Sequence, residues 1–307
     1  MRILLAGTPY FAKVVFEELL ANPQYTIVGL LTQPDRPFGR KQELKAPETK
    51  QLVLSKIPHL PILQPERIDS QTLACVRDLN PEIIVVVAYG QILPKAFLDI
   101  APCVNIHASI LPHLRGASPL QEMIMTNPTF FGISIMQMEE SLDSGAILGI
   151  GFISNTNQNI EELSNTLAFK GVQVLQKVLQ DFRFTQEILP LPQCNADSSY
   201  CKKIKKSEGE IYFDNAEKIY RKYLAFKGWP SIFTKNGIKI LEILNFDTQG
   251  HFTPAQILKI LPKSVIVGCG NGSLEISKIQ PPSKNAMDIV PYLLGARLKV
   301  GDNLVDS

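Results

Sequence analysis

Short apolar runs rich in Ile, Val and Leu alternate with segments of helical apolar spacing in the first part of the chain. We predict strands at residues 2–6, 25–32, 83–88, 104–108 and 132–138, and helices at 11–20, around 119–125 and at 161–182. The unbroken Ile/Val run at 83–87 is typical of a strand that a parallel sheet buries on both faces. Strands that alternate with helices predict an α/β domain with a doubly wound, mainly parallel sheet.

The pattern changes after residue 185. Residues 186–203 combine two prolines with a polar run at 195–199, which is a composition typical of a linker. Beyond them, Lys-Asn-Gly at 235–237 and Cys-Gly-Asn-Gly at 269–272 separate apolar runs and predict two β-hairpins. We therefore predict an α/β domain at 1–185, a linker at 186–203 and a small antiparallel β-barrel domain at 204–307, with one short helix at 215–226.

Composition and charge are those of an ordinary globular protein. The 307 residues carry a formal net charge of +2, which alone indicates no polyanionic partner. None of the five cysteines has the spacing of a metal site, so we expect free thiols and no metal. No apolar run approaches the roughly 20 residues of a membrane helix, and the chain opens directly on the first predicted strand. We expect a cytoplasmic protein with no membrane contact and no obligatory protein partner.

The candidate chemistry lies where the fourth predicted strand ends. Asn105 and His107 alternate with apolar residues, so the amide and the imidazole should share one face of the strand. The Ser-Ile-Leu-Pro segment at 109–112 then breaks regular structure just beyond the carboxyl end of the strand, where open α/β sheets bind ligands. A lone strand histidine is more often a satisfied core residue, but these neighbours favour a catalytic role.

Asp143 stands apart in the sequence, within Ser-Leu-Asp-Ser-Gly at 141–145. An aspartate in such a turn normally only hydrogen-bonds its own backbone. Together with Asn105 and His107, however, it makes a set of amide, imidazole and carboxylate that suits carbonyl chemistry without a covalent intermediate. We expect Cys103 to lie on the opposite face of the strand from His107 and to take no part as a nucleophile.

Two further loops follow predicted strands. Residues 88–94 contain Gly90 and Pro94, and their free backbone groups could read the amide edge of a heterocycle; plain strand termination is the alternative. At the end of the first strand, Gly7 stands without the other glycines of G-x-G-x-x-G, so we expect no NAD.

The loop at 33–47 is longer than the usual connection of about 2–6 residues in such folds. It carries an aromatic residue and four basic residues: Phe38, Arg36, Arg40, Lys41 and Lys45. Such a loop suits the end of a nucleic acid, and a mobile surface loop is the alternative. A second basic cluster opens the C-terminal part, at Lys202, Lys203, Lys205 and Lys206; it is either a solvated face or a nucleic-acid surface.

These segments together resemble the 10-formyltetrahydrofolate-dependent formyltransferases over essentially the whole chain. The resemblance is carried by GTPYFA, TQPDRPFGR, VVVAYGQILP, NIHASILPHLRGASP, QMEESLDSGAIL and AFKGWPS. Asn-x-His-x-Ser-x-Leu-Pro with a downstream Leu-Asp-x-Gly is specific to this group. The departures are Ile110 where the family usually has leucine, Ser144 where threonine is common, and Tyr10 where an acidic residue is frequent, which leaves a polar role of that position in doubt.

The resemblance implies a Rossmann-like catalytic domain and a second domain like an oligonucleotide/oligosaccharide-binding (OB) barrel. It implies direct transfer of the formyl group of 10-formyltetrahydrofolate to the α-amino group of methionyl-initiator tRNA. The catalytic residues would be Asn105, His107 and Asp143. Folate would be contacted by two loops, Tyr89, Gly90, Gln91 and Ile92, and Ser109, Ile110, Leu111 and Pro112. The tRNA would be contacted by the loop around Arg40 and by the lysines of the second domain.

Other functions remain open from the sequence. A folate enzyme of the same group could formylate a small amine, such as glycinamide ribonucleotide or an amino sugar, or hydrolyse formyltetrahydrofolate. A catalytically silent RNA-binding protein on a nucleotide-fold scaffold is a third possibility. The intact set of Asn105, His107 and Asp143 argues against the third, and the basic loop argues against the small amine.

Overall fold

The structure, a computed structural model, describes residues 1–38, 42–185 and 190–305. The chain divides into two units. The first comprises Met1–Pro119, Thr129–Ser154 and Leu163–Cys201, and the second comprises Leu120–Pro128, Asn155–Glu162 and the chain from Lys202 onwards. None of the helices in the described ranges is long and apolar enough to cross a membrane.

The helices in chain order are α1 (Tyr10–Ala21), α2 (Glu48–Lys56), α3 (Ser70–Asp78), α4 (Lys95–Leu98), α5 (Pro119–Thr126), α6 (Ile160–Thr185), α7 (Ala216–Ala225) and α8 (Ile289–Ala296). The strands of the first unit are β1 (Arg2–Gly7), β2 (Thr26–Leu31), β3 (Arg36–Phe38), β4 (Glu43–Lys45), β5 (Ile62–Leu63), β6 (Ile83–Val87), β7 (Cys103–His107), β8 (Arg115–Gly116), β9 (Phe130–Gln137), β10 (Ile147–Ser154) and β11 (Tyr200–Cys201).

The sheet of the first unit has the order β10-β9-β7-β6-β1-β2-β5. The five strands from β7 to β5 are parallel, whereas β9 and β10 are antiparallel to their neighbours. The predicted doubly wound, mainly parallel sheet is confirmed. Strand β10 was not predicted, because Gly149 and Gly151 weaken its β pattern. Both glycines lie against α6, where an added Cβ would come within 2.7 and 2.9 Å of Val174.

Helices cover both faces of this sheet. On one face, β6 and β7 pack with Phe97 of α4 and Val76 of α3 in a buried cluster. On the other face, α6 passes so close that a Cβ at Gly171 would lie 3.1 Å from Ile106 of β7. Because β1 lies between β2 and β6, the chain reverses its direction of strand addition there. The loops that follow β1, β2, β6 and β7 therefore meet at one edge of the sheet.

The long loop predicted at 33–47 contains a hairpin instead of irregular chain. Strands β3 and β4 pair antiparallel, with Arg36 opposite Lys45, and residues 39–41 lie outside the described residues. A polar network fixes its base: Lys50 Nζ donates to Asp35 (2.9 Å) and to Gln64 Oε1 (2.8 Å). The hydrogen bonds from Gln64 and Lys50 lower the pKa of Asp35.

Residues 190–201, here called the strap, pack against the first unit. Leu191 forms an antiparallel bridge with Ile147, and β11 pairs in parallel with β8. Strap residues also hydrogen-bond the loop after β7, as Ser199 Oγ accepts from the Leu114 N–H (2.9 Å). The chain thus folds back over the β7 loop before it enters the second unit.

The second unit contains β12 (Glu210–Ile211), β13 (Ile232–Thr234), β14 (Lys239–Asp247), β15 (Ile257–Ile260), β16 (Val265–Gly268), β17 (Ser273–Gln280) and β18 (Met287–Asp288). Their sheet has the order β12-β13-β14-β17-β16-β15, with β18 on β17, and all pairs except β12–β13 are antiparallel.

Both hairpins predicted for this unit are confirmed, as β13 pairs with β14 and β16 with β17. The predicted helix is α7, whose first turn is capped by the Asn215 side chain, which accepts from the Lys218 N–H (2.9 Å). The antiparallel sheet is as expected, but no sheet closes into a barrel within the described residues, and the OB-like barrel is not confirmed.

Candidate active site

The end of β7 and the turn at Asp143 bring an imidazole and a carboxylate together. Nδ1 of His107 lies 3.7 Å from Oδ2 of Asp143, and the two side chains are 7% and 12% exposed. Asp143 has φ 49°. This is a left-handed conformation that aspartate tolerates better than most residues. The structure thus brings His107 and Asp143, which are 36 positions apart in the chain, next to each other.

The ring of His107 has a defined tautomer. Its Nε2 lies 2.9 Å from the carbonyl oxygen of Leu114. A carbonyl can only accept, so Nε2 carries a hydrogen, and Nδ1 is the ring atom that remains for proton transfer. Asp143 lies on the Nδ1 side, and its Oδ2 accepts a hydrogen bond from the Gly116 N–H (2.8 Å).

Asn105 lies on β7 opposite Met136 of β9, and the residue is 8% exposed. Its neighbour in β6 is Val86, two residues before the loop that follows that strand. In the described parts of the chain no hydrogen bond engages the Asn105 amide. An amide with free donors at the mouth of a sheet edge can stabilise a developing oxyanion.

The four residues predicted to bind folate after β7 form a tightly held loop. Ser134 of β9 bridges it, because its Oγ donates to the Ser109 carbonyl (2.8 Å) and accepts from the Leu111 N–H (3.0 Å). Ser109 and Leu111 are buried, at 0% and 2% exposure, whereas Ile110 and Pro112 are half-buried. The role of Ser134 in this loop was not predicted, because a serine within an apolar strand carries no local signal of a partner 25 residues away.

The loop after β6 presents main chain rather than a tyrosine side chain. Tyr89 is buried in the core cluster, its hydroxyl has no partner among the described residues, and burial raises its pKa to about 12. Ile92 is 87% exposed. The main-chain groups of Gly90, Gln91 and Ile92 form no hydrogen bond with other described residues, so they are free for a ligand.

The expected position of Cys103 is wrong. Cys103, Asn105 and His107 alternate along β7 and so share one face, and Cys103 packs with Ile84 and Val86 of β6. What excludes it as a nucleophile is burial, which raises the pKa of its thiol to about 12. The thiol is therefore protonated at neutral pH.

Three polar residues beside the site were not predicted. Arg115 is 2% exposed, and its guanidinium reaches across to Gln193 and Asn195 of the strap. Gln193 in turn donates to the carbonyl groups of Asp143 (3.0 Å) and Gly145 (2.6 Å). The only signal in the sequence was an arginine within the otherwise apolar and turn-forming segment Leu-Pro-His-Leu-Arg-Gly.

The residues predicted to contact nucleic acid lie on the surface where they are described. Arg36 is exposed and forms an ion pair with Glu66, and Lys45 forms one with Glu48. The side chain of Phe38, and all of Arg40 and Lys41, lie outside the described residues. Lys202, Lys203, Lys205 and Lys206 are exposed in the second unit. A cleft of about 340 Å³ at the base of the β3–β4 hairpin is lined by Thr8, Gln33, Arg36 and Lys45 together with prolines.

No group of three or more His, Cys, Asp and Glu side chains able to hold a metal occurs within the described ranges.

The model of the formyl transferase family matches residues 1–179, and that of the formyl transferase C-terminal domain matches residues 203–297. The chain belongs to the formyl transferase family.

Curated relatives of the same length carry a more specific name. Methionyl-tRNA formyltransferases from Wolinella succinogenes and Helicobacter acinonychis are each 45% identical, covering 99% of this chain and 99% and 100% of theirs. The enzyme of that name from Campylobacter jejuni is 40% identical over 99% of both chains.

Solved structures share the fold at low identity. HypX from Aquifex aeolicus, in complex with tetrahydrofolic acid, has a TM-score of 0.66 and 13% identity, covering 99% of this chain and 48% of HypX. This chain thus spans about half the length of HypX. The N-formyltransferase from Helicobacter canadensis, with folinic acid and dTDP-3-aminofucose, has a TM-score of 0.65 and 16% identity, covering 90% of this chain and 98% of that one. At these identities the likeness shows the fold.

Gly145, beside Asp143, allows a close approach of main chain. A Cβ at Gly145 would lie 1.8 Å from the Gln137 carbonyl oxygen, so Gly145→Ala must move backbone. We expect this substitution to destabilise the protein by about 1–3 kcal/mol, measured by urea unfolding followed by circular dichroism. Gly295→Ala is the matched control, because Gly295 lies in α8 with nothing within 4 Å of its added Cβ. Equal midpoints for the two variants would contradict the close approach.

Proposed function

We propose that this protein transfers the formyl group of 10-formyltetrahydrofolate to the α-amino group of methionyl-initiator tRNA, the modification that prepares this tRNA for translation initiation. The observation that carries the proposal is the placement of Asn105, His107 and Asp143 at the carboxyl end of β7. It is supported by relatives of equal length that are named for this reaction.

The three residues take distinct roles in this proposal. Attack of the amine on the formyl carbon places negative charge on the formyl oxygen, and the Asn105 amide donates to it. The intermediate collapses when the bond between the formyl carbon and the tetrahydrofolate nitrogen breaks. His107 moves the proton that the attacking amine loses to this leaving nitrogen, and it does so through Nδ1, because its Nε2 is engaged with Leu114. Asp143 stabilises the charged imidazole or takes the proton of the substrate ammonium through water. The reaction is direct, and it uses no covalent enzyme intermediate, no metal and no NAD.

Folate supplies the formyl group and is held beside these residues. The free main-chain donors and acceptors of Gly90–Ile92 fit the amide edge of a heterocycle, and Ile92 offers an exposed apolar surface. The loop Ser109, Ile110, Leu111 and Pro112 forms the other wall, held in shape by Ser134. A contact with Tyr89 would use its main chain, since its ring is buried.

The basic residues on the surface support tRNA as the molecule that accepts the formyl group. Arg36, Phe38, Arg40, Lys41 and Lys45 would engage the acceptor end of the tRNA, and Lys202, Lys203, Lys205 and Lys206 its backbone. We retain the predicted organisation within this proposal: a catalytic domain at 1–185, a linker at 186–203 and an OB-like tRNA-binding domain at 204–307. The cytoplasm is the compartment in which such an enzyme would meet its tRNA.

The deciding experiment measures consumption of 10-formyltetrahydrofolate with and without methionyl-initiator tRNA, together with the formylated product. We expect consumption that depends on the aminoacylated tRNA. Consumption with water alone would indicate a hydrolase. Consumption with a small amine but not with the tRNA would indicate the small-amine enzyme.

Arg40→Ala tests the placement of the basic loop. We expect it to raise the KM for tRNA and to leave folate affinity unchanged, and tRNA affinity should fall steeply with salt because phosphate contacts release counterions. Losing one phosphate contact should reduce the slope of log affinity against log salt by about 0.9. Arg77→Ala, an exposed arginine of α3, is the control. An equal loss of folate affinity in Arg40→Ala would refute this placement.

A further inference from the structure

Arg115 is a buried cation whose partners are all neutral. Its Nε and Nη2 donate to Gln193 Oε1 (3.0 and 2.7 Å), its Nη2 to Asn195 Oδ1 (3.0 Å) and its Nη1 to the Tyr200 hydroxyl (3.2 Å). No carboxylate pairs with it within the described parts of the chain. Burying a guanidinium without a carboxylate is costly, so stability alone gives no reason for this arrangement.

The residues on either side of Arg115 hold the two catalytic side chains. The Leu114 carbonyl accepts from His107 Nε2, and the Gly116 N–H donates to Asp143 Oδ2. A tripeptide with Arg115 at its centre therefore orients both members of the pair. The backbone of this tripeptide pairs with β11 of the strap, and a Cβ at Gly116 would overlap the Cys201 carbonyl oxygen at 2.3 Å.

Gln193 connects this tripeptide to the turn that carries Asp143. Its Oε1 accepts from Arg115, while its Nε2 donates to the carbonyl groups of Asp143 and Gly145. Asp143 is thus held from both ends, through its carboxylate by Gly116 and through its main chain by Gln193.

We propose that Arg115 and Gln193 are positioning residues for formyl transfer. They fix the tripeptide 114–116 relative to the turn 143–145 and so set the distance between His107 and Asp143. This inference rests on the function proposed above. It makes the strap, which precedes the second unit, a part of the catalytic apparatus. Neither residue needs to touch the substrates.

Arg115→Met tests the proposal through the split between kcat and KM. A displacement of about 1 Å in catalytic groups can reduce the rate about 10²-fold, so we expect a loss of that order in kcat. The KM values for folate and tRNA should stay within about threefold, because the lost interaction acts on the transition state. Arg115→Lys should restore part of the rate, since lysine keeps the charge but not the planar fork.

Gln193→Glu separates the two contacts of Gln193. A carboxylate still accepts from Arg115 but cannot donate to Asp143 and Gly145, so we expect kcat to fall about tenfold, the lower end of what is typical when a residue that orients a ligand is lost. The effects of Arg115→Met and Gln193→Glu should be non-additive in the double variant. Asp197→Asn is the control, because Asp197 is an exposed strap residue whose side chain is not among the partners of Arg115 or of the turn.

The two proposals fail in different ways. Wild-type protein that does not formylate methionyl-tRNA would refute the proposed function. Active wild type with folded Arg115→Met and Gln193→Glu variants of unchanged kcat would overturn the positioning role, as would a loss confined to KM. If Arg115→Met does not fold, Gln193→Glu decides the matter. The ¹⁵N signals of His107 give a readout without substrate, since Gln193→Glu should perturb them and Asp197→Asn should not.

Discussion

Asp143→Asn is expected to lower kcat for formyl transfer by about 10²–10⁴-fold, the range of a lost acid–base group. The asparagine can still accept the Gly116 N–H and tolerates the φ of 49° at this position, so the turn should persist. What it lacks is the negative charge 3.7 Å from Nδ1 of His107. Without that charge, neither a protonated imidazole nor a proton leaving the substrate amine is stabilised. Single-turnover transfer to methionyl-tRNA measures the effect.

Binding and fold serve as the checks on this variant. Folate and tRNA affinities should match those of wild type, because the Asp143 side chain is 12% exposed and its carboxylate contacts His107 and the Gly116 N–H. Glu140→Gln, an exposed acid three residues earlier, should be neutral. Full activity of Asp143→Asn would show that the charge has no part in the reaction, and joint loss of rate and affinity would indicate misfolding.

Asn105→Ala carries the second large expectation, a loss of about 10²–10³-fold in kcat, which is typical when one oxyanion donor is removed. The reason is that the amide lies two residues before the end of β7 and has no hydrogen-bond partner among the described residues, so its donors are available to the reacting carbonyl. Asn105→Leu should behave alike, since it fills the volume without a donor. Rates under saturating folate and tRNA measure the loss.

Ile106→Val is the matched control for Asn105, because it alters the opposite face of the same strand, which packs on α6. It should cost about 0.5–1.5 kcal/mol of stability and leave kcat near wild type. A similar loss of rate in Ile106→Val and Asn105→Ala would mean that the strand, rather than the amide, controls the reaction.

The local pattern of apolar and polar residues was sufficient to predict most strands of the main sheet and part of the candidate site. The continuous run at 83–87 and the alternation at 104–107 predicted β6 and β7, and alternation alone placed Asn105 and His107 on one face. The same two-residue period places Cys103 on that face as well, contrary to the expectation that it lies opposite His107. Strand β10 was not predicted because its two glycines serve the packing of α6, a tertiary demand that local propensity does not report.

The rest of the site depends on contacts between distant parts of the chain. The local pattern around Asp143 predicts only a turn, and its contact with His107 joins residues 36 positions apart. Arg115 and Gln193 lie 78 residues apart, and Gln193 falls in a stretch whose composition is that of a linker. A segment with prolines and polar residues can be mobile or can be held by specific hydrogen bonds, and composition does not distinguish the two.

The strap has a consequence for how the protein can be divided. A polypeptide ending at residue 185 would keep β7, Asp143 and every strand of the main sheet, yet it would lose all of the side-chain acceptors that Arg115 uses. Its guanidinium would be left without these partners, and residues 114–116 would lose their connection through Gln193 to the turn at Asp143. The smallest autonomous catalyst should therefore extend to Cys201, and polypeptides 1–201 and 202–307 are the ones with which to ask whether residues 202–307 can act in trans.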